Sequence, residues 1–226
     1  TDRVLSRYAR AIFIRSHAHE EVEQFARYAD IPVINALTDS HHPLQSLADF
    51  LTIQEIFQQT QAIQIAYLGE GNNVAHSLME AAALTGAHLH LATPAAYAPN
   101  AALVTSAQKI AQLTGSKITL SQDPLLAVKN AQVIYTDTWL SMGHPESEKP
   151  ARLKALQSFQ VNGALWKKIS QEAIFMHCLP AHRGEEVTAE IIDGDQSGVF
   201  DQAENRLPTA QALLLALYEG KLEGRH

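Results

Sequence analysis

The chain has 226 residues, 46% of them hydrophobic, enough to bury a sizeable core in one large or two small domains. Its net charge is −7 with 18% charged residues, which gives no electrostatic reason for a nucleic-acid partner, and no apolar run approaches the roughly eighteen residues of a membrane span. One cysteine, Cys178, excludes an internal disulfide framework and fits a reducing, cytoplasmic setting.

The chain opens at Thr1 inside a helical pattern, with Val4, Leu5, Tyr8, Ala9 and Ile12 at helical spacing, so residues upstream are expected. Residues 11–15 read as a buried strand ending in Arg15, 19–28 as an amphipathic helix and 32–36 as a second strand. A polar turn through His42-Pro43 feeds a helix over 44–59. Strand and helix then alternate: strand 63–68, helix 74–85, strand 88–92, helix 105–114, strand 118–120, helix 123–129 and strand 133–136. Residues 138–153 form the one long polar segment and read as a loop of lid-like length. Helices are expected at 153–160 and 163–170, strands at 174–176 and 199–200, and a closing helix at 206–219.

This alternation predicts an α/β fold: two domains with parallel sheets flanked by helices, the first domain incomplete. Ligands on such sheets bind beyond the carboxyl ends of the strands, so chemistry is sought there. Arg15 ends a strand. His41-His42-Pro43-Leu44-Gln45 offers imidazole and carboxamide donors at a helix start. Gly69-Glu70-Gly71-Asn72-Asn73-Val74 follows a strand and opens a helix, as a dinucleotide fingerprint does. Val74 stands where the third glycine is needed, and no acidic residue lies near position 91, which counts against a nicotinamide oxidoreductase. Asp137 and Ser141 follow another strand and suit the amino and carboxylate groups of an amino acid. His177-Cys178-Leu179-Pro180 follows a further one. Cys178 there is a nucleophile, a polar contact or a packed side chain; with one cysteine and no second half-site, structural zinc is disfavoured. Arg206 opens the last helix, where a cation opposes the helix dipole and hints at another purpose.

In this order the elements resemble the ornithine carbamoyltransferases over essentially the whole chain. The residues that carry the likeness are His42-Pro43-Leu44-Gln45 with Leu47-Ala48-Asp49, Gly69-x-Gly71-Asn72-Asn73 with His76-Ser77, Asp137-x-x-x-Ser141-Met142-Gly143, His177-Cys178-Leu179-Pro180 and Glu204-Asn205-Arg206. The Ser-Met-Gly loop and the His-Cys-Leu-Pro element separate ornithine enzymes from aspartate enzymes.

The resemblance implies carbamoyl transfer from carbamoyl phosphate to the side-chain amine of L-ornithine, with no cofactor and no metal. It implies that Arg15, His42, Gln45 and Arg206 bind carbamoyl phosphate, mostly through its carbonyl oxygen. Asn73, Asp137, Ser141 and Met142 would hold the backbone end of ornithine, with Cys178 and Leu179 near its reacting amine. It implies a homotrimer with sites shared between neighbours, a carbamoyl-phosphate domain over 1–59, an ornithine domain over 60–205 and a closing helix over 206–226 that returns to the first domain. The family's Ser-Thr-Arg-Thr phosphate element has no counterpart in this sequence. A carbamoyltransferase for another amine, such as acetylornithine, and a non-catalytic amino-acid-binding module are the alternatives.

Overall fold

The computed structural model describes residues 2–140 and 145–221, and its strands form two separate parallel sheets. The smaller joins β1 (Ile12–Arg15) to β2 (Val33–Leu37), with α2 (His19–Tyr28) as the crossover. A single helical turn, α1 (Asp2–Leu5), precedes them. The helical spacing that runs on to Ile12 is cut short because Ile12 donates its N–H to the Pro32 carbonyl and opens β1.

Next comes α3 (Pro43–Phe57). Pro43 sits in its first turn, where the missing N–H costs nothing. The buried face of α3 mixes Leu44, Ala48, Phe50 and Ile53 with Gln45, Asp49 and Thr52. A core needs only the apolar half of that set, so the polar half requires partners of its own.

The larger sheet holds β3 (Gln64–Leu68), β4 (His88–Ala92), β5 (Ile118–Ser121), β6 (Val133–Thr136) and β7 (Ile174–His177), in the order β5-β4-β3-β6-β7. Side chains alternate between its faces, and both faces are covered. Ile65, Tyr67, Val133, Tyr135 and Met176 pack with α3, α4 (Asn73–Thr85) and α5 (Ala101–Thr114). Ala66, Leu68, Ile134 and Phe175 pack on the other side with α6 (Pro124–Val128), α8 (Gly163–Trp166), α9 (Ala189–Ile192) and α10 (Val199–Glu204). Full burial of a Leu or Ile such as Leu68 or Ile134 contributes about 1.5–3 kcal/mol. The last helix, α11 (Arg206–Tyr218), packs against α3, and Arg10 lies 4.8 Å from the ring centroid of Tyr218 near its end.

The expected α/β architecture is therefore present, with four local differences. Residues 199–200 are helical, as the start of α10. The edge of β7 is already occupied by the Gln196–Gly198 segment, through bonds between Gln196, Gly198 and Phe175, and Val199 and Gln202 are then buried at helical spacing. Two apolar residues alone cannot distinguish the two periods. Helix α5 begins at Ala101, four residues before the expected start, because the Asn100 side chain accepts from the Ala102 and Leu103 N–H groups. Helix α7 (Lys149–Leu156) begins inside the segment read as a loop, and α8 stops at Trp166, short of the expected residue 170.

Candidate active site

The larger sheet reverses its order of winding between β3 and β6, and at such a reversal the segments leaving the two strands part to leave a crevice beyond their carboxyl ends. The turn after β3 approaches its neighbours so closely that a Cβ on Gly71 would lie 2.2 Å from the Pro99 nitrogen. Asn72 then caps α4: its Oδ1 accepts from the N–H groups of Val74 and Ala75. Its Nδ2 donates to Asp137 Oδ2 at 2.6 Å, joining the turn after β3 to the one after β6.

Asp137 is buried, yet its carboxylate is well supplied with donors. Besides Asn72, the Thr138 N–H reaches Oδ1 at 2.7 Å and the Cys178 thiol donates to the same oxygen at 2.9 Å. Burial, the Asp137 charge and the thiol's bond to that carboxylate push the Cys178 pKa well above its usual value. Cys178 is thus a protonated thiol at neutral pH, which argues against a thiolate nucleophile. The segment carrying it is shaped by His177, whose Nδ1 accepts from the Leu179 N–H at 2.8 Å and whose Nε2 lies 3.3 Å from the fully buried Glu186. Leu179 holds φ at 54°, left-handed and uncommon for a branched residue.

Facing this acidic pole is a cationic one. Arg206, at the start of α11, donates from its guanidinium to Gln45 Oε1 at 2.6 Å. His42 is buried where the chain enters α3, its N–H bonded to the Ser77 hydroxyl at 2.8 Å and its Nδ1 without a hydrogen-bond partner. Burial, reinforced by the Arg206 and Arg15 cations against the pull of Asp137, lowers the His42 pKa to about 4. The imidazole is therefore neutral at pH 7 and has one N–H to donate. Arg15 ends β1 exposed and, among the described residues, without an ion-pair partner. Cations and a neutral imidazole can stabilise negative charge on a bound oxygen, a carboxamide can bond an amide group, and the acidic pole beside them can orient an amine.

The structure thus brings together Arg15, His42, Gln45 and Arg206 on one side and Asp137 and Cys178 on the other. Asn73 adjoins Asn72 at the start of α4, and its Nδ2 donates to the Thr38 carbonyl at 2.6 Å, tying α4 to the turn before α3. Leu179 lies beside Cys178, half-buried. Ser141 and Met142 fall outside the described residues. Metal binding is expected to be absent; among the described residues Asp137, His177 and Cys178 bring three donor atoms within 4.8 Å of one another, as do His182, Glu185 and Glu186, and His177 Nδ1 is already engaged by the Leu179 N–H.

Sequence reasoning placed Asn72 in the motif with Asn73 but gave it no role of its own. It overlooked Arg152, which donates to the Trp139 carbonyl at 2.6 Å, pairs with Glu70 and lies over the Tyr97 ring. Arg152 so fastens both flanks of the crevice. Nothing in the sequence marks it, since Glu70 stands 82 positions away.

Two family profiles match the chain: "Aspartate/ornithine carbamoyltransferase, carbamoyl-P binding domain" over residues 1–55 and "Aspartate/ornithine carbamoyltransferase, Asp/Orn binding domain" over 61–217. An ornithine carbamoyltransferase of Acidothermus cellulolyticus is 49% identical over 219 residues, which are 97% of this chain and 70% of that relative. One from Bacillus subtilis is 51% identical over 222 residues, 98% of this chain and 69% of the relative. The solved ornithine carbamoyltransferase of Pyrococcus furiosus superposes with a TM-score of 0.92 at 49% identity, covering 98% of this chain and 70% of that one.

Proposed function

Since this chain belongs to the aspartate/ornithine carbamoyltransferase family and its function is carbamoyl transfer to ornithine, we propose that the crevice between β3 and β6 is where the reaction takes place. The observation that carries this assignment is the pairing of poles. Arg206 bonded to Gln45 and a His42 with a buried nitrogen unpartnered among the described residues lie within electrostatic reach of the Asp137–Cys178 pair.

Carbamoyl phosphate lies on the cationic side, held by Arg15, His42, Gln45 and Arg206. Ornithine lies on the acidic side, its backbone end at Asn73, Asp137, Ser141 and Met142 and its side-chain amine near Cys178 and Leu179. The amine nitrogen attacks the carbamoyl carbon, negative charge grows on the carbonyl oxygen, and the bond to phosphate breaks to give citrulline and inorganic phosphate. Donors aimed at that oxygen lower the barrier, and one such donor is typically worth about 2.7–4 kcal/mol. A neutral His42 serves as such a donor without adding a charge. The amine must first be unprotonated; with a free pKa near a lysine's ~10.4, reactivity rises toward alkaline pH. Cys178 orients the amine as a thiol, in keeping with its raised pKa.

Residues 1–59 form the carbamoyl-phosphate side, 60–205 the ornithine side and 206–226 the closing element. The separate sheets and the packing of α11 on α3 support that division. Closure of the two sides excludes water; residues 141–144 of the 138–153 segment lie outside the described residues. The assembly is a homotrimer in a cytoplasmic setting, supported by the family resemblance and the single free cysteine. Among the described residues no helix is long and apolar enough to cross a membrane.

The test is citrulline formation from carbamoyl phosphate with ornithine, acetylornithine, putrescine and aspartate offered in parallel. It is run on the chain as it stands and on the chain preceded by a segment carrying the Ser-Thr-Arg-Thr element. Turnover with ornithine alone is expected; a folded protein inactive toward every amine in both forms overturns the reading.

A further inference from the structure

Asp49 has no role in the chemistry above, yet it stands at the junction of both poles. It lies one turn beyond Gln45 on α3 and is 1% exposed. A carboxyl group at such depth is costly unless its oxygens are bonded. Its Oδ1 accepts two bonds, from Gln45 Nε2 at 2.9 Å and from Gln202 Nε2 at 2.6 Å.

The first bond decides how Gln45 is turned. The carboxamide has one accepting and one donating end, and they are not interchangeable here. Its Nε2 points to Asp49 and its Oε1 accepts from Arg206 at 2.6 Å. Rotating the group by half a turn would set oxygen against the Asp49 oxygen and N–H against the guanidinium, two repulsive contacts in place of two bonds. The second bond reaches the other pole. Gln202 also donates to the Tyr135 phenol at 3.1 Å, and its Oε1 accepts from the His177 N–H at 2.9 Å, next to Cys178.

We infer that Asp49 is a positioning residue for carbamoyl transfer: it fixes the rotation of the Gln45 carboxamide, so that Gln45 presents an accepting oxygen and the Arg206 guanidinium to the carbamoyl group. This rests on the assignment of Gln45 and Arg206 to carbamoyl phosphate made above. In consequence Gln45 meets the carbamoyl nitrogen as an acceptor, and the developing oxyanion is left to Arg206, His42 and Arg15. The buried carboxyl needs only Oδ1 for this task; among the described residues Oδ2 has no hydrogen-bond partner. An asparagine at the position keeps the accepting oxygen, whereas alanine or leucine removes it.

The experiment is a double-mutant cycle on the full chain, in the form that gives citrulline in the assay above. Asp49→Ala, Asp49→Leu, Asp49→Asn, Gln45→Ala and the Asp49→Ala/Gln45→Ala double variant are compared, with thermal unfolding recorded for each. Asp49→Leu fills the space that alanine would leave open and serves if Asp49→Ala does not fold. Expected is a fall of about tenfold to a hundredfold in kcat/KM for carbamoyl phosphate in Asp49→Ala or Asp49→Leu, with the ornithine KM within about threefold of the parent. Asp49→Asn should keep most of the activity, and the double variant should be no worse than Gln45→Ala alone. Independent, multiplying losses, or Asp49→Asn as impaired as Asp49→Leu, would overturn the inference and leave Asp49 a structural residue. A silent Gln45→Ala would overturn the assignment of Gln45 itself, and the inference with it.

Discussion

The two poles of the site are built on opposite principles. The acidic pole is buried and internally satisfied: Asp137 receives donors from Asn72, Thr138 and Cys178 before any ligand arrives. Among the described residues the cationic pole is left short of partners: Arg15 is exposed and without an ion pair, His42 has an orphan nitrogen, and Arg206 spends one bond on Gln45. In the proposed assignment, a satisfied carboxylate is pre-organised and would orient a neutral nucleophile without having to rearrange. Unsatisfied cations and donors would stay available for phosphate and for the charge that develops in the transition state, where they do most. The difference teaches that one pole is a fixed guide and the other a set of open valences, with Asp49 and Gln202 joining them.

The strongest way to break this comparison is to remove an open valence. Arg206→Ala should lower turnover by about 10²–10³ while leaving ornithine binding nearly intact, as steady-state kinetics with both substrates would show. A loss confined to the ornithine KM would place Arg206 at the wrong pole. Removing the guide should act differently. Asp137→Ala leaves the Asn72 amide and the Cys178 thiol without their acceptor, so stability in urea should fall by about 1–3 kcal/mol. The ornithine KM should rise by roughly tenfold or more, with the carbamoyl phosphate KM little changed.

A subtler prediction concerns pH. The folded His42 has a pKa of about 4 against an ordinary 6.5, so as pH falls through that window the unfolded chain takes up a proton the folded one refuses, and stability drops. Asp49 acts in the opposite sense. Burial raises it from 3.8 to about 7, against the bonds from Gln45 and Gln202, the nearby Tyr135 hydroxyl and the Arg206 charge. Between those values the folded carboxyl keeps a proton that the unfolded one has lost, so stability drops as pH rises. The two terms oppose each other between about pH 4 and 6.5, each on the order of 3 kcal/mol. Asp49→Asn should gain stability relative to the parent as pH rises toward 7, and His42→Gln should gain relative to it as pH falls toward 4. Denaturant titrations at several pH values measure both, and parallel curves for parent and variants would remove these two groups from the account. The smallest effect is expected from Cys178→Ser, which keeps a donor toward Asp137 and should retain activity within about tenfold. A carbamoyl thioester trapped on Cys178 and seen by mass spectrometry would instead make it a nucleophile.

Much of the architecture was legible because local chemistry and tertiary demand agree. Pro43 at a helix start, Asp123-Pro124 before α6 and the continuous apolar runs of β3 and β6 leave few alternatives. Where the signal was short, it failed: Val199-Phe200 carries two apolar residues and no period, and only the occupied edge of β7 makes that segment helical. The motif residues were likewise readable as types, because an oxyanion calls for Arg and His, a carbamoyl group for a carboxamide and an amine for a carboxylate. Their partners were not. Asn72 to Asp137 spans 65 positions, Arg152 to Glu70 spans 82, Gln202 to Asp49 spans 153 and Arg206 to Gln45 spans 161. Linear order carries no information about such contacts; they exist because the switch in strand order opens a crevice and because α10 and α11 return to α3. The sequence by itself therefore determined which chemistry this protein can perform and on which class of fold. Which hydrogen-bonding face each side chain presents was decided by tertiary packing, since a carboxamide or imidazole is oriented only by the groups that surround it.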